Sequence, residues 1–128
     1  MLKTGAEYVE SLKDGRRVYI GEELVTDVTT HPAFRNAARS FAMLYDRKRA
    51  AENLEVMSYE EDGERFTSWY LMPRNRDDLA KRTETHRRIA AWSHGLLGRS
   101  PDHVASFVTG LAMMPEMFST SVPNSLTR

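Results

Sequence analysis

The sequence predicts a mainly α-helical fold carrying small β-hairpins (an α+β chain), and three observations predict it. Phe34, Ala37, Ala38, Phe41, Ala42 and Tyr45 recur at helical spacing and would line one buried face. Two helix starts are spelled out locally: the capping box Thr4-Gly-Ala-Glu7, and Ser100-Pro101, a good N-cap residue followed by proline at the first helical position. The dipeptide Asp62-Gly63 lies between the strand-like runs Val56–Tyr59 and Phe66–Tyr70, which is a strong short-range hairpin signal.

Taken in order, a helix is expected over about 4–13, ending at the turn dipeptide Asp14-Gly15. Val18-Tyr19-Ile20 and Leu24-Val25 read as two short strands around Gly21, a hairpin over about 17–26. Thr30 and Pro32 suit the start of a helix over about 32–50. The second hairpin is expected over about 55–71, closed by Pro73. A charged helix over about 77–97 follows, with Leu79, Ile89, Trp92 and Leu96 as its apolar positions and Gly98 as its stop. The last helix, about 102–114, is apolar nearly all round and is expected to be buried; Pro115 breaks it. Residues 119–128 form a polar tail with little reason to fold alone.

The chain's 128 residues suit one domain, and 41% hydrophobic with 28% charged residues is ordinary for a soluble protein. Eighteen basic residues balance eighteen acidic ones, so no long-range field draws in nucleic acid or an anionic membrane. With no cysteine, disulfides, thiolate metal sites, cysteine nucleophiles and Cys-ligated clusters are excluded. The N-terminus has no apolar run of signal-peptide length and nothing approaches a membrane span, so a soluble, cytoplasmic chain is expected.

Among the four histidines, His31 before a proline suits packing or capping. His86 and His94, about two turns apart on one expected helix, lack the further ligands and the spacing of a metal site, so no metal is expected. The arginines at 74, 76, 82, 87 and 88 interleave with Asp77, Asp78 and Glu84, the pattern of a solvated helix face rather than of a nucleic-acid stripe. The sharpest local feature is Gly98-Arg99-Ser100-Pro101-Asp102-His103. Arg99 offers a permanently charged planar fork, His103 a group that exchanges a proton near neutral pH, and the helix start adds free amides. Two readings stay open at this level: a pocket for an anion or phenolate, or a helix–turn–helix corner in which Asp102 caps and Arg99 pairs with a carboxylate. Composition alone favours the corner.

Five separated motifs then resemble one family in the right order: Thr-Gly-Ala-Glu-Tyr-Val-Glu-Ser-Leu-Lys-Asp-Gly-Arg from Thr4 to Arg16; Val25 through His31-Pro-Ala-Phe-Arg-Asn-Ala-Ala38 with Leu44-Tyr45-Asp46; Asp77-Asp78-Leu79; Ala91-Trp92-Ser93; and Gly98-Arg-Ser-Pro-Asp102. As a set they are similar to the oxygenase components of 4-hydroxyphenylacetate 3-monooxygenases. The resemblance implies the N-terminal helical domain of an acyl-CoA dehydrogenase-like fold, leading to β-rich middle and helical C-terminal domains. It implies ortho-hydroxylation of a 4-hydroxyphenylacetate-like phenol with O2 and reduced FAD (FADH2) supplied by a separate flavin reductase, in a homo-oligomer that is a tetramer at full length. It makes Arg99 and His103 the catalytic and substrate-binding residues, while most flavin contacts fall in the other domains and cannot be named here. His103 stands where the family commonly has tyrosine, which puts the substrate's identity in question. The absence of cysteine sets aside the related iron–sulfur dehydratases. The 128-residue piece alone is expected to be inactive. The alternative, from a different class, is a stand-alone binding or oligomerisation module that keeps this fold without catalysis.

Overall fold

In a computed structural model the described residues are 2–97 and 102–119. The chain divides into two compact units, Met1–Thr67 and Ser68–Arg128.

In the first unit, helix α1 (Gly5–Ser11) begins with the full capping box: Thr4 Oγ1 accepts from Glu7 N–H, and the Glu7 carboxylate accepts from Thr4 N–H. It lies against α2 (Arg35–Arg49), whose Ala38 and Leu44 face inward. Contact is close because residue 5 is glycine: a Cβ there would sit 2.5 Å from the carbonyl oxygen of Ala42. Asp46 Oδ1 accepts from Gly5 N–H at 2.8 Å, placing a carboxylate at the positive end of α1. Tyr8 of α1 stacks on Tyr45 of α2 at 4.8 Å and tilts against Phe41. The helix starts three residues after the expected Pro32 and lacks a side-chain cap. Asp27 diverts the preceding segment into a turn, accepting from the amide and hydroxyl of Thr29, while Ala33 N–H donates to His31 Nδ1.

Strands β1 (Val18–Ile20) and β2 (Glu23–Val25) pair antiparallel, with only Val25 buried. The second hairpin, β3 (Ser58–Glu61) and β4 (Glu64–Thr67), is shorter than the alternation predicts. Asp62 and Gly63 both have positive φ, 52° and 78°, the two-residue turn that dipeptide favours, and Tyr59 faces Phe66 across the ladder. Upstream, Ala51–Met57 is a helix, α3, which the sequence reading missed. Its seven residues include good helix formers, and Met57 at its end is fully buried, so propensity and burial agree against the strand. Downstream, Trp69 and Tyr70 lie in a 3₁₀ turn (Ser68–Tyr70) rather than in the strand.

In the second unit, α4 (Arg76–Trp92) starts at Asn75, whose side chain accepts from Asp78 N–H. It stops five residues before the expected end. His94 and Gly95 adopt left-handed φ of 50° and 76°, and Gly95 N–H closes on Ala90 O at 2.8 Å. Gly95, not Gly98, is therefore the stop signal. His94 lies outside the helix, so it shares no helical face with His86, and Leu96 is 87% exposed. Helices α5 (Asp102–Ala112) and α6 (Glu116–Ser119) complete the unit. Both α4 and α5 pack on the 3₁₀ turn, around buried Trp69, Ile89 and Ala105. The expectation that α5 is buried all round is overturned: Ala105 and Thr109 are buried, but Val104, Phe107, Val108 and Leu111 are exposed. Its small-residue side meets the 3₁₀ turn, and its large apolar residues point elsewhere. No helix among the described residues is long and apolar enough to cross a membrane.

Candidate functional site

Of the two residues singled out from the sequence, Arg99 lies outside the described residues. His103 is the second residue of α5 and its side chain is exposed. One turn along α5, Ser106 Oγ accepts from Arg82 Nη2 at 2.9 Å. The same guanidinium donates through Nη1 to Leu71 O at 2.9 Å. Arg82 is only 9% exposed, on the inward stripe of α4 that also carries Thr85 and Ile89. Farther along α5, Thr109 is buried with its hydroxyl donated to Ala105 O, so that helix presents small groups to its support.

Sequence reasoning placed Arg82 on a solvated face with Arg87 and Arg88, and so missed it. The spacing 82, 85, 89 was the available signal, masked because arginine and threonine do not register as core residues. The other two arginines behave as expected: Arg87 and Arg88 both donate to Glu84, and these bonds hold its carboxyl down at about 2.

A groove of about 430 Å³ in the first unit is lined by Leu12, Lys13, Arg16, Arg17 and the segment 24–28. Its charges are already engaged locally. Lys13 pairs with Glu10, Arg16 with Asp14, and Asp27 with Thr29. Arg16 holds the Asp14 carboxyl at about 2. All these groups are exposed or nearly so and gain little from one another. Among the described residues no three histidine, aspartate or glutamate side chains converge as metal ligands would. The left-handed glycines Gly15, Gly21, Gly63 and Gly95 have open space around them, as turn residues do.

A family model described as 4-hydroxyphenylacetate 3-hydroxylase N terminal matches residues 4–127. The oxygenase component of 4-hydroxyphenylacetate 3-monooxygenase from Thermus thermophilus is 37% identical over 97% of this chain and 26% of its own length. That of 4-nitrophenol 2-monooxygenase from a Rhodococcus species is 42% identical over 96% of this chain and 24% of its own. The crystal structure of a 4-hydroxyphenylacetate 3-monooxygenase oxygenase component complexed with FAD and 4-hydroxyphenylacetate superposes with a TM-score of 0.86 at 38% identity, covering 91% of this chain and 25% of that one. The chain thus spans about a quarter of the length of these relatives. With the family model matched from end to end and the fold reproduced, the chain belongs to the 4-hydroxyphenylacetate 3-hydroxylase N-terminal family.

Proposed function

We propose that this chain is the N-terminal part of the oxygenase component of a two-component monooxygenase that hydroxylates a phenol ortho to its hydroxyl, using O2 and FADH2 delivered by a flavin reductase. The observation that carries this reading is the end-to-end match to relatives named as such oxygenases, one of them solved with both FAD and a phenol bound. The named substrates of the relatives share one chemistry. They are 4-hydroxyphenylacetate, 4-nitrophenol and, in a Streptomyces globisporus relative, a chlorohydroxyphenyl group on a carrier protein. All are phenols substituted opposite the hydroxyl, and that is the substrate class we assign.

Most of the flavin contacts fall to the remaining length that the relatives possess, of which this chain spans about a quarter. When bound, reduced flavin supplies the electrophilic oxygen. This chain supplies one wall of the phenol pocket, at the start of α5. Oxygen transfer to a ring is faster from the phenolate, which pushes electron density to the ortho carbon. Arg99 holds the phenolate oxygen by a charge-assisted hydrogen bond, and His103 accepts the phenol proton. The exposure of His103 in this chain supports that role, since its ring is free to meet a ligand.

The test is made on a whole-length oxygenase carrying this domain, reconstituted with a flavin reductase, FAD and 4-hydroxyphenylacetate. His103→Ala is expected to slow catechol formation about a hundredfold or more, the usual worth of a general base, while oxygen is still consumed and released as hydrogen peroxide. Unchanged product formation would remove His103 from the mechanism. Failure of the unaltered protein to bind FAD or hydroxylate any phenol would instead favour the stand-alone module.

A further inference from the structure

We propose that Arg82 is the positioning residue of this site: through Ser106 it sets the placement and rotation of α5, and so aims His103 at the phenol. The inference rests on the functional reading above and goes beyond it by naming the group that orients the proton acceptor.

Three observations carry it. First, the contacts that α5 makes within this chain are small: among its described side chains Ala105 and Thr109 are buried, while Val104, Phe107 and Val108 stand exposed. Apolar contact between small groups leaves the roll of a helix loosely defined. Second, Arg82 supplies a directional link. Its planar fork reaches two separate segments, Leu71 O after the 3₁₀ turn and Ser106 Oγ on α5, both at 2.9 Å. Because the guanidinium is rigid, fixing one end on Leu71 fixes where Ser106 must lie. Third, the arrangement is costly as mere adhesion. Arg82 is 91% buried (100 − 9), yet both acceptors are neutral oxygens, so much of its hydration is given up without an opposite charge. An apolar residue on the same stripe would hold the helices together better. What it could not do is define distance and angle to two segments together.

The consequence for His103 follows from helical geometry. Positions 103 and 106 are neighbours on one face of α5, so the side chain that pins Ser106 also orients His103. A general base misplaced by about 1 Å can lose most of its advantage.

The experiment uses the same reconstituted oxygenase and compares Ser106→Ala, Arg82→Lys, Arg82→Gln and the Arg82→Gln/Ser106→Ala double variant. Ser106→Ala leaves the bond from Arg82 to Leu71 in place, so it keeps the test alive if Arg82→Gln fails to fold. The expected result is a phenol KM raised about threefold to tenfold by Ser106→Ala, the worth of one hydrogen bond. Less product should form per oxygen consumed, with FAD affinity unchanged. Arg82→Lys, which keeps the charge and some donors, should fall between the native protein and Arg82→Gln. The double variant should be no worse than Arg82→Gln, because both changes remove the same link. Variants that lose Tm yet keep the native phenol KM and coupling would make Arg82 purely structural and overturn the proposal. A native oxygenase that hydroxylates no phenol would overturn the functional reading and the positioning role with it, a result distinct from the first.

Discussion

Replacing Lys48 by methionine should abolish a rise in stability that the native chain shows between about pH 8 and pH 10.5. Lys48 sits on α2 with 3% of its surface exposed, and its ammonium lies 4.0 Å from the centre of the Tyr45 ring, which is itself stacked on Tyr8. Burial pushes its pKa down from 10.5 to about 8. The difference, 10.5 − 8 = 2.5 units, is worth about 3 kcal/mol as a ceiling on the cost of keeping the charged form inside the fold. The ring face offsets about 1 kcal/mol of that cost. The sign follows from linkage. Below about pH 8 both folded and unfolded chains hold the proton, and the full cost is present. Between about pH 8 and pH 10.5 the folded chain releases it first, so stability rises with pH. Methionine keeps the length and fills the space without a charge. The assay is urea unfolding of both proteins near pH 7 and near pH 10. The native chain should gain on Lys48→Met by up to about 3 kcal/mol over that range, because only the native chain carries the shifted ammonium. A difference in stability that does not change with pH would refute the reasoning.

Gly5→Ala should lower stability by about 1–3 kcal/mol, because the added methyl meets the Ala42 carbonyl, which belongs to the helix backbone and cannot swing away; a Tm equal to that of the native chain would contradict the close α1–α2 approach. Glu84→Gln should make no difference below about pH 2 and a small, salt-sensitive one above the ordinary carboxylate range. The reason is the sign of the shift: Arg87 and Arg88 depress the Glu84 pKa, so its contribution is lost as pH falls toward about 2. Acid titrations of both proteins at low and high salt measure it. The effects of His103→Ala on turnover and of Ser106→Ala on phenol KM, set out above, bear on function.

Much of the architecture was legible because it is written in local chemistry. Thr4 and Glu7 cap a helix through groups three residues apart, and Asp62-Gly63 closes a hairpin through backbone preference at two adjacent residues. The apolar positions from Ala37 to Tyr45 do lie on one helix, α2, with Phe34 at its N-cap, although of the six only Ala38 is buried. What could not be read is where neighbouring signals compete. Gly98 was read as the stop of α4, but Gly95 ends it, and His94, which is not glycine, takes a left-handed conformation beside it. Val56-Met57 alternates like a strand, yet it completes a helix because the residues before it are good helix formers and Met57 is buried at the helix end. Arg82 was invisible for a different reason. An arginine is assigned to the surface by default, and only the fold decides which of several goes inward.

The case of α5 shows why a helix's hydrophobicity and its burial are separate facts. An all-apolar surface signals that the environment should be dry on every side, but it does not say which neighbours make it so. Within this chain the small residues Ala105 and Thr109 find their neighbour in the 3₁₀ turn, while Phe107 and Val108 remain exposed. Within this chain the Arg82–Ser106 hydrogen bond adds a directional contact to that small apolar seat. Large apolar residues on the open side give area but little direction, since dispersion and hydrophobic burial tolerate a roll of several degrees. A forked donor does not tolerate it. This separation explains how one helix can be adhesive on most of its surface and still hold His103, at its first turn, in a defined direction.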